Sequence, residues 1–257
     1  MATFTHNGRT TGYQMSGSGA PVLLFHGTTQ AANAWDQVIQ SAQEPRTWVV
    51  CEFPGSGESD MPTQPIELDN IVNDAVALMK SLGFDTFHVG GYSLGAVAAL
   101  RCAALHSSEV LTVSSLCGWS RSDARMRATF DLWRRLIAIG PDVFMRYALV
   151  DGYTVAALEL MEPMIEQVIP MAASMIQPGS DAHLDLDIRV DIEDSLTLIS
   201  APCLVMGAIE DRWVDVSHSR HIAATVPKST LIELPAGHLV IGELAGEIAH
   251  HLVRHTA

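Results

Sequence analysis

A serine flanked by glycines lies at the end of a short apolar run, in the segment Phe87-His88-Val89-Gly90-Gly91-Tyr92-Ser93-Leu94-Gly95-Ala96. The run before the serine predicts a buried strand, and the apolar positions after it, at helical spacing, predict a helix. A serine in such a sharp strand-to-helix turn has a strained backbone, and glycines two residues before and after it remove Cβ atoms that would collide. Ser93 is therefore a candidate nucleophile, and the bare pattern also fits a glycine-rich turn with a solvated or capping serine.

A second strand end could supply oxyanion donors. The apolar run Pro21-Val22-Leu23-Leu24-Phe25 stops at His26-Gly27-Thr28-Thr29. The glycine lets the backbone turn tightly, so we expect the Thr28 N–H to point into the space above Ser93. Together with the Leu94 N–H it would form a pair of backbone donors for a developing oxyanion. His26 is interpreted as a residue packed for structure.

Two further strand ends carry an acid and a base. Asp211 follows the apolar run that ends at Gly207, and His238 follows the run Leu231-Ile232-Glu233-Leu234. A serine hydroxyl needs a base, which an imidazole with an unperturbed pKa of about 6.5 provides, and a carboxylate must hold that imidazole in the right tautomer. Ser93, Asp211 and His238 thus predict a catalytic triad, with Glu210 as the alternative acid.

These segments resemble the α/β-hydrolase superfamily, in particular its single-domain bacterial esterase, lactonase and carbon–carbon hydrolase branch, from Gly12 to the C-terminal helix. Family members usually carry Asp-x-Arg-Gly-x-Gly-x-Ser after the second core strand, where this chain has Glu52 and Pro54 at the Asp and Arg positions. The family's acid usually lies three residues after the strand-ending glycine, which is Glu210. We favour Asp211, because Arg212-Trp213-Val214 follows it as the family's acid loop implies.

The alternation of apolar runs predicts how these strand ends come together. Two short strands between Thr3 and Met15, with a turn at Asn7-Gly8, precede an alternating strand and helix pattern. The expected fold is the α/β-hydrolase fold, a mostly parallel eight-stranded sheet with helices on both faces and a helical lid inserted after the sixth strand. Residues 1–118 and 197–257 would form the core, and residues 119–196 the helical cap. Core strands are expected at about 21–26, 47–53, 84–90, 109–117, 201–207 and 229–234.

The cap is rich in methionine and apolar at helical spacing. Six of the 11 methionines fall in it, at positions 126, 145, 161, 164, 171 and 175. Flexible thioethers suit an irregular apolar pocket, although packing between cap helices explains most of them equally well. The expected substrate pocket comprises Tyr92, Trp119, Met145, Met161 and Leu239.

Charged residues of the cap have simpler explanations than a binding site. Five arginines lie at positions 121, 125, 127, 134 and 135, where capture of an anionic substrate is the alternative to a solvated helix face. The acidic stretch from Asp181 to Asp194 alternates with apolar residues as on an exposed face, so we expect no metal there. His218 and His221 lack an obvious third ligand and are interpreted as surface residues. No motif implies a cofactor.

Composition narrows the class of protein. The chain has 257 residues and a net charge of −14, from 15 basic and 29 acidic residues, which argues against nucleic acid or anionic lipid as a partner. No apolar run approaches the roughly 20 residues of a membrane span, and no signal peptide is visible. Four cysteines without a Cys-x-x-Cys pair suggest reduced thiols, so we expect a cytoplasmic location. The oligomeric state is open, a homodimer included.

The sequence thus predicts a serine hydrolase that cleaves a small to medium, largely apolar carboxylic ester or lactone through an acyl-enzyme. Two alternatives use the same residues. One is a carbon–carbon bond hydrolase of a dienol or diketone-type substrate. The other is a ligand receptor whose intact triad turns over slowly. A small-molecule substrate is the partner that all three readings share.

Overall fold

The computed structural model describes all 257 residues. Its eight strands are β1 (Ala2–His6), β2 (Arg9–Gly17), β3 (Ala20–Phe25), β4 (Arg46–Cys51), β5 (Phe87–Tyr92), β6 (Val110–Leu116), β7 (Cys203–Ala208) and β8 (Ser229–Leu234). The helices are α1 (Asp36–Ser41), α2 (Leu68–Ser81), α3 (Leu94–Leu105), α4 (Ala124–Ile139), α5 (Pro141–Gly152), α6 (Val155–Met161), α7 (Ile165–Ala173), α8 (Ser180–Arg189), α9 (Val216–Thr225), α10 (Val240–Glu243) and α11 (Ala245–His255).

All eight strands form one sheet, in the order β1-β2-β4-β3-β5-β6-β7-β8. The strands β1 and β2 form an antiparallel hairpin, and β2 also pairs antiparallel with β4. The other six strands, β3 to β8, run parallel to one another. The predicted mostly parallel eight-stranded sheet is therefore confirmed. Since β3, β5, β7 and β8 all point the same way, the loops that follow them meet at one edge of the sheet.

Both faces of the sheet are covered, which explains the continuous apolar runs of the core strands. In β3, Leu23 and Phe25 contribute to the core on one face of the sheet, and Val22 and Leu24 contribute to the core on the other. The first face packs against α2 and α3, and the second against α1 and α11. This alternation fixes the face of the sheet toward which each strand side chain points.

The helices α4 to α8 form one group between β6 and β7. Within this group α4 packs against α5 and α8, and α5 packs against α7. Pro163 lies in the short 3₁₀ turn that separates α6 from α7. No helix of the chain has both the length and the apolar character needed to cross a membrane.

The backbone of the core touches this helical group at a pair of glycines. Gly179, just before α8, donates its N–H to the carbonyl oxygen of Gly55 at 2.8 Å. A Cβ atom on Gly179 would lie 2.7 Å from the Gly55 Cα, closer than side chains tolerate. The contact therefore requires glycine at position 179. It ties the start of α8 to the loop that follows β4.

Candidate active site

Ser93 lies in the turn between β5 and α3, with φ 56° and ψ −122°. This backbone conformation is rare for a residue with a side chain, and it lifts the hydroxyl out of the sheet edge. A Cβ on Gly91 would lie 1.9 Å from the Gly95 carbonyl oxygen, and a Cβ on Gly95 would lie 2.2 Å from the Phe25 carbonyl oxygen. The two glycines are needed for the steric reason that the sequence suggested.

A continuous hydrogen-bond chain joins the three predicted triad residues. His238 Nε2 lies 2.9 Å from Ser93 Oγ, and His238 Nδ1 lies 2.6 Å from Asp211 Oδ2. All three side chains are buried. Because Nδ1 faces a carboxylate oxygen, it carries the ring proton, and Nε2 is left to accept the proton of the serine hydroxyl.

The loop after β7 presents Asp211 and not its neighbour. Asp211 Oδ1 accepts hydrogen bonds from the backbone N–H groups of Trp213 and Val214, both at 2.9 Å, while Oδ2 faces His238. Glu210 is exposed to solvent and makes no contact with the imidazole. Of the two candidate acids, the structure brings Asp211 to the base.

Two backbone N–H groups lie beside Ser93 with no partner in the protein. Thr28 lies in the loop after β3, and its N–H finds no protein acceptor. Leu94 is the first residue of α3, where a backbone N–H has no acceptor within its own helix. Both predicted donors thus lack an acceptor within the protein.

A cavity of about 190 Å³ opens in front of Ser93. Its walls combine the loop after β3 with residues of α4, α5 and the end of α7. Tyr92, Met145 and Leu239 line it, as the sequence predicted. The other apolar side chains of the wall are Ala31, Ala34, Trp133, Phe144, Ala148, Ala172, Met175, Ile176 and Trp213.

Trp119 and Met161, the other two predicted pocket residues, do not line this cavity, which corrects that assignment. The indole of Trp119 is fully buried in the core, where its Nε1–H donates to Ser122 Oγ at 2.9 Å and its ring lies 5.7 Å from that of Phe130. Met161 ends α6, and that helix contributes no residue to the cavity wall.

Two aromatic residues hold the base in place. The Tyr92 hydroxyl donates to the carbonyl oxygen of His238 at 2.8 Å, and burial raises the pKa of this phenol well above its usual value. The ring of Trp213 lies 5.0 Å from the imidazole of His238. The histidine is thus fixed through its backbone and its ring, so its Nε2 atom stays aimed at Ser93.

His26 has the structural role that the sequence suggested. Its Nδ1 atom donates to the carbonyl oxygen of Gly27 at 2.8 Å, and its Nε2 atom accepts from the N–H of Phe53 at 3.1 Å. Burial lowers the pKa of His26 to about 3, and burial lowers the pKa of the neighbouring His183 to about 4. Both imidazoles are therefore neutral near pH 7.

These depressed pKa values predict a loss of stability in acid. Below about pH 6.5 the unfolded chain binds protons at His26 and His183 that the folded chain does not bind until about pH 3 to 4. Burial raises the pKa of Asp187, so this carboxyl contributes a slope of the opposite sign. Burial lowers the pKa of His88 to about 4, so this imidazole adds to the slope from His26 and His183. We expect the free energy of unfolding to fall by roughly 1.4 kcal/mol per pH unit for each net proton taken up.

Urea denaturation at pH 7, 6 and 5 measures this slope. In His183→Gln an amide can replace the Nε2 donor to the Pro54 carbonyl oxygen, which His183 contacts at 2.9 Å. The variant is expected to have a flatter pH dependence. A slope equal to that of the parent protein would show that His183 does not contribute to it.

Asp187 was predicted to lie on an exposed face, and this prediction is wrong. It is fully buried, and its Oδ2 atom accepts a hydrogen bond from Thr28 Oγ1 at 2.8 Å. Within α8 it follows His183 and Leu184 by four and three residues, and all three are buried on one side of the helix. Helical spacing was the signal that could have found it.

Cys117 lies close to Asp211 and His238, and the atoms of these three residues that could bind a metal lie within 4.8 Å of one another. Burial, and then the nearby Asp211, raise the pKa of this thiol well above its usual value. A thiol binds metal as the thiolate, and the facing atoms of Asp211 and His238 already bond to each other. Cys117 therefore fits a protonated thiol beside Asp211 and His238 better than a metal ligand.

The family model of the alpha/beta hydrolase fold matches residues 20–243, which span the sheet, the serine turn and the histidine loop. The chain belongs to this α/β-hydrolase family. It is accordingly a hydrolase, as the names of its relatives also indicate.

Three relatives illustrate the range within this family. A candidate carbamate hydrolase of Azorhizobium caulinodans, RutD, is 23% identical over 233 residues, covering 88% of this chain and 86% of its own. The pyrrolizixenacetamide deacetylase of Xenorhabdus hominickii is 25% identical over 231 residues, covering 88% and 87%. The crystal structure of the enol-lactonase from Burkholderia xenovorans LB400 superposes with a TM-score of 0.87 over 99% of each chain, at 17% identity.

Proposed function

We propose that this α/β-hydrolase cleaves small, uncharged carboxylic esters or lactones through an acyl-enzyme formed on Ser93. The observation that carries the proposal is the chain of hydrogen bonds from Ser93 Oγ through His238 to Asp211, at 2.9 and 2.6 Å. A serine, a neutral imidazole and a carboxylate in this order form the arrangement that generates a nucleophilic oxygen at neutral pH.

The reaction proceeds in two halves. His238 Nε2 takes the hydroxyl proton while Ser93 Oγ attacks the carbonyl carbon, and the Thr28 and Leu94 N–H groups stabilise the oxyanion. His238 then returns the proton to the leaving alkoxide, which departs as an alcohol. In the second half His238 takes a proton from water, and the water oxygen attacks the acyl carbon. The bond between that carbon and Ser93 Oγ then breaks, His238 returns the proton to Ser93 Oγ, and the carboxylic acid leaves. Asp211 holds the imidazole in the required tautomer throughout and stabilises its charged form.

The cavity wall favours an uncharged acyl group. None of the residues that line the cavity is a lysine, arginine, aspartate or glutamate. A carboxylate on the substrate would therefore lose its water without gaining an ion pair, which is costly in an apolar cavity. The volume of about 190 Å³ is small beside the roughly 300–1,000 Å³ of common ligand pockets. Both properties support a short apolar acyl chain.

Cleavage of small amides or carbamates is the second candidate. The names of two relatives, a deacetylase and a candidate carbamate hydrolase, refer to acyl groups bound to nitrogen. The same serine, histidine and oxyanion donors can form an acyl-enzyme from an amide, provided His238 protonates the leaving amine. Acetyl and butyryl anilides belong beside the esters in any activity screen.

The identifying experiment combines labelling with a substrate panel. A fluorophosphonate probe is expected to modify Ser93, located by mass spectrometry of the labelled peptide. The panel compares p-nitrophenyl esters, lactones, anilides and a dienol-type diketone. Turnover well above about 1 s⁻¹ on an ester or lactone supports an enzyme and argues against a slow receptor. Absence of labelling at Ser93, or fast turnover of the diketone alone, would overturn the ester proposal.

The cavity predicts a preference for short acyl chains. We expect kcat/KM for p-nitrophenyl acetate or butyrate to exceed that for the octanoate at least about tenfold, since a small apolar pocket discriminates by a few kcal/mol. Met145→Ala enlarges the cavity and should lower the ratio of kcat/KM for the short ester to kcat/KM for the octanoate. Met164→Ala is the matched control, because Met164 is exposed and does not line the cavity. An unchanged ratio in Met145→Ala would contradict this assignment.

A further inference from the structure

We propose that Asp187 is a positioning residue that fixes the oxyanion loop, defined as residues 27–30, through a hydrogen bond to the Thr28 side chain. The inference rests on the proposed function and adds to it a residue from α8, outside the triad and the oxyanion donors. It assigns to the helical segment between β6 and β7 a part in catalysis besides enclosing the substrate.

The contact is short, buried and specific. Thr28 Oγ1 lies 2.8 Å from Asp187 Oδ2, and these residues are 159 positions apart in the chain. Thr28 lines the cavity, and the proposed function assigns its backbone N–H as an oxyanion donor. Anchoring its side chain fixes the rotation of its peptide plane, and with it the direction of that N–H. Misplacing a donor by about 1 Å can lower the rate as much as 10²-fold.

The oxyanion loop needs such anchors because its backbone is strained. Thr29 has φ 67°, a conformation that β-branched residues rarely adopt. Its carbonyl oxygen accepts a hydrogen bond from the N–H of Gln177 at 3.1 Å, and the Gly27 N–H donates to Gln30 Oε1 at 2.9 Å. The adjacent loop residues Thr28 and Thr29 are thus each bonded to the chain segment that contains α8, through Asp187 and Gln177 respectively.

The surroundings of Asp187 disfavour its charged form. Its side chain is fully buried, it forms no salt bridge, and its Oδ1 atom has no hydrogen-bond partner within the protein. Burial raises the pKa of this carboxyl well above its usual value, and the bond from Thr28 opposes the shift only in part. A carboxamide has nearly the shape of a carboxyl group and keeps an oxygen that can accept the hydrogen bond from Thr28 Oγ1. Asparagine can therefore replace it, whereas alanine cannot.

The experiment compares Asp187→Asn, Asp187→Ala and Asp185→Asn. Asp185 is the matched control, because it lies on the same helix and pairs with Arg189 at the surface. We expect Asp187→Ala to lower kcat for the best ester about 10- to 100-fold with KM changed less than about threefold. Asp187→Asn should stay within about threefold of the parent protein, and Asp185→Asn should equal it.

A trifluoromethyl ketone separates positioning from general damage. Bound to Ser93 it carries a negatively charged oxygen, so its affinity should fall in Asp187→Ala in parallel with kcat, and recover in Asp187→Asn. The affinity of the neutral product alcohol should stay constant. An Asp187→Ala variant with parental kcat, or an Asp187→Asn variant as impaired as Asp187→Ala, would overturn the inference.

The Thr28→Val variant and the labelling of Ser93 separate the role of Asp187 from a folding defect and from the proposed function. If Asp187→Ala fails to fold, Thr28→Val removes the same hydrogen bond from the other side and should show the same loss in kcat. Full kcat in Thr28→Val would overturn the inference. Labelling of Ser93 by the fluorophosphonate in the parent protein tests the proposed function independently. Rapid labelling together with an unaffected Asp187→Ala variant would reject the role of Asp187 alone.

Discussion

Replacing Ser93 with alanine is expected to lower kcat for ester hydrolysis by about 10⁴- to 10⁶-fold. The acyl-enzyme cannot form without the hydroxyl, and the remaining rate comes from the oxyanion donors and substrate binding. The fold should survive, because the substitution removes one oxygen atom, and alanine retains the Cβ that this backbone already accommodates. Steady-state kinetics with a p-nitrophenyl ester and a thermal melt measure the two effects.

A control for Ser93→Ala comes from a second buried serine. Ser114 lies in β6, and its Oγ atom has no hydrogen-bond partner within the protein. Ser114→Ala should therefore retain parental turnover and fluorophosphonate labelling. If Ser93→Ala kept more than about a tenth of the parental kcat, the nucleophile would have to be another group.

Replacing Asp211 with asparagine is expected to lower kcat about 10⁴-fold. Asparagine Oδ1 can keep the two backbone hydrogen bonds from Trp213 and Val214, which leaves its amide nitrogen facing His238. That nitrogen is a donor, so the imidazole must turn its unprotonated Nδ1 toward it and carry the proton on Nε2. A protonated Nε2 cannot accept the proton of Ser93. The loop is preserved, and the base is held in the wrong tautomer.

Glu210→Gln is the matched control for this substitution. The glutamate is adjacent in sequence and exposed, so its neutralisation should leave kcat unchanged. The pair of variants decides between the two acids that the sequence left open. Loss of activity in Glu210→Gln with retention in Asp211→Asn would reverse the assignment made from the geometry.

The position of the triad could be predicted because each member directly follows a buried strand. Parallel strands bring their carboxyl ends to one edge of the sheet, so Ser93 after β5, Asp211 after β7 and His238 after β8 converge whatever their separation in the chain. The glycines at 91 and 95 were equally informative, since a steric requirement at a turn can be recognised from residue type alone.

The cavity wall was less predictable. Trp119 comes soon after β6, as Ser93 comes after β5, yet its indole turns into the core and bonds to Ser122. Met161 lies in a helix with the expected apolar spacing, but the order in which cap helices pack decides which of them faces the cavity. That packing depends on contacts between α4, α5, α7 and α8 that no local pattern records.

Asp187 shows a different kind of limit. Aspartates at positions 181, 185, 187 and 191, interspersed with apolar residues, suggested a solvated surface. The partner of Asp187 is a threonine 159 residues earlier in the chain, and no local pattern around position 187 identifies that partner. Helical spacing shows that Asp187 shares a face of α8 with Leu184. Only the fold shows that this face lies against Thr28.

The glycine contact before α8 limits how substrate can enter. Since the Gly55 and Gly179 backbones touch and Asp187 is bonded to the core, the C-terminal end of the helical segment is clamped. The end of α5 is held as well, because the Leu239 N–H donates to the Gly152 carbonyl oxygen at 2.9 Å and Thr154 Oγ1 donates to Glu243 Oε2 at 2.6 Å. Between these two ties lie α6 and α7, and the end of this stretch carries the cavity residues Met175 and Ile176. A movement confined to α6 and α7 would open the cavity from one side while the contacts of Gly179 and Asp187 stay in place.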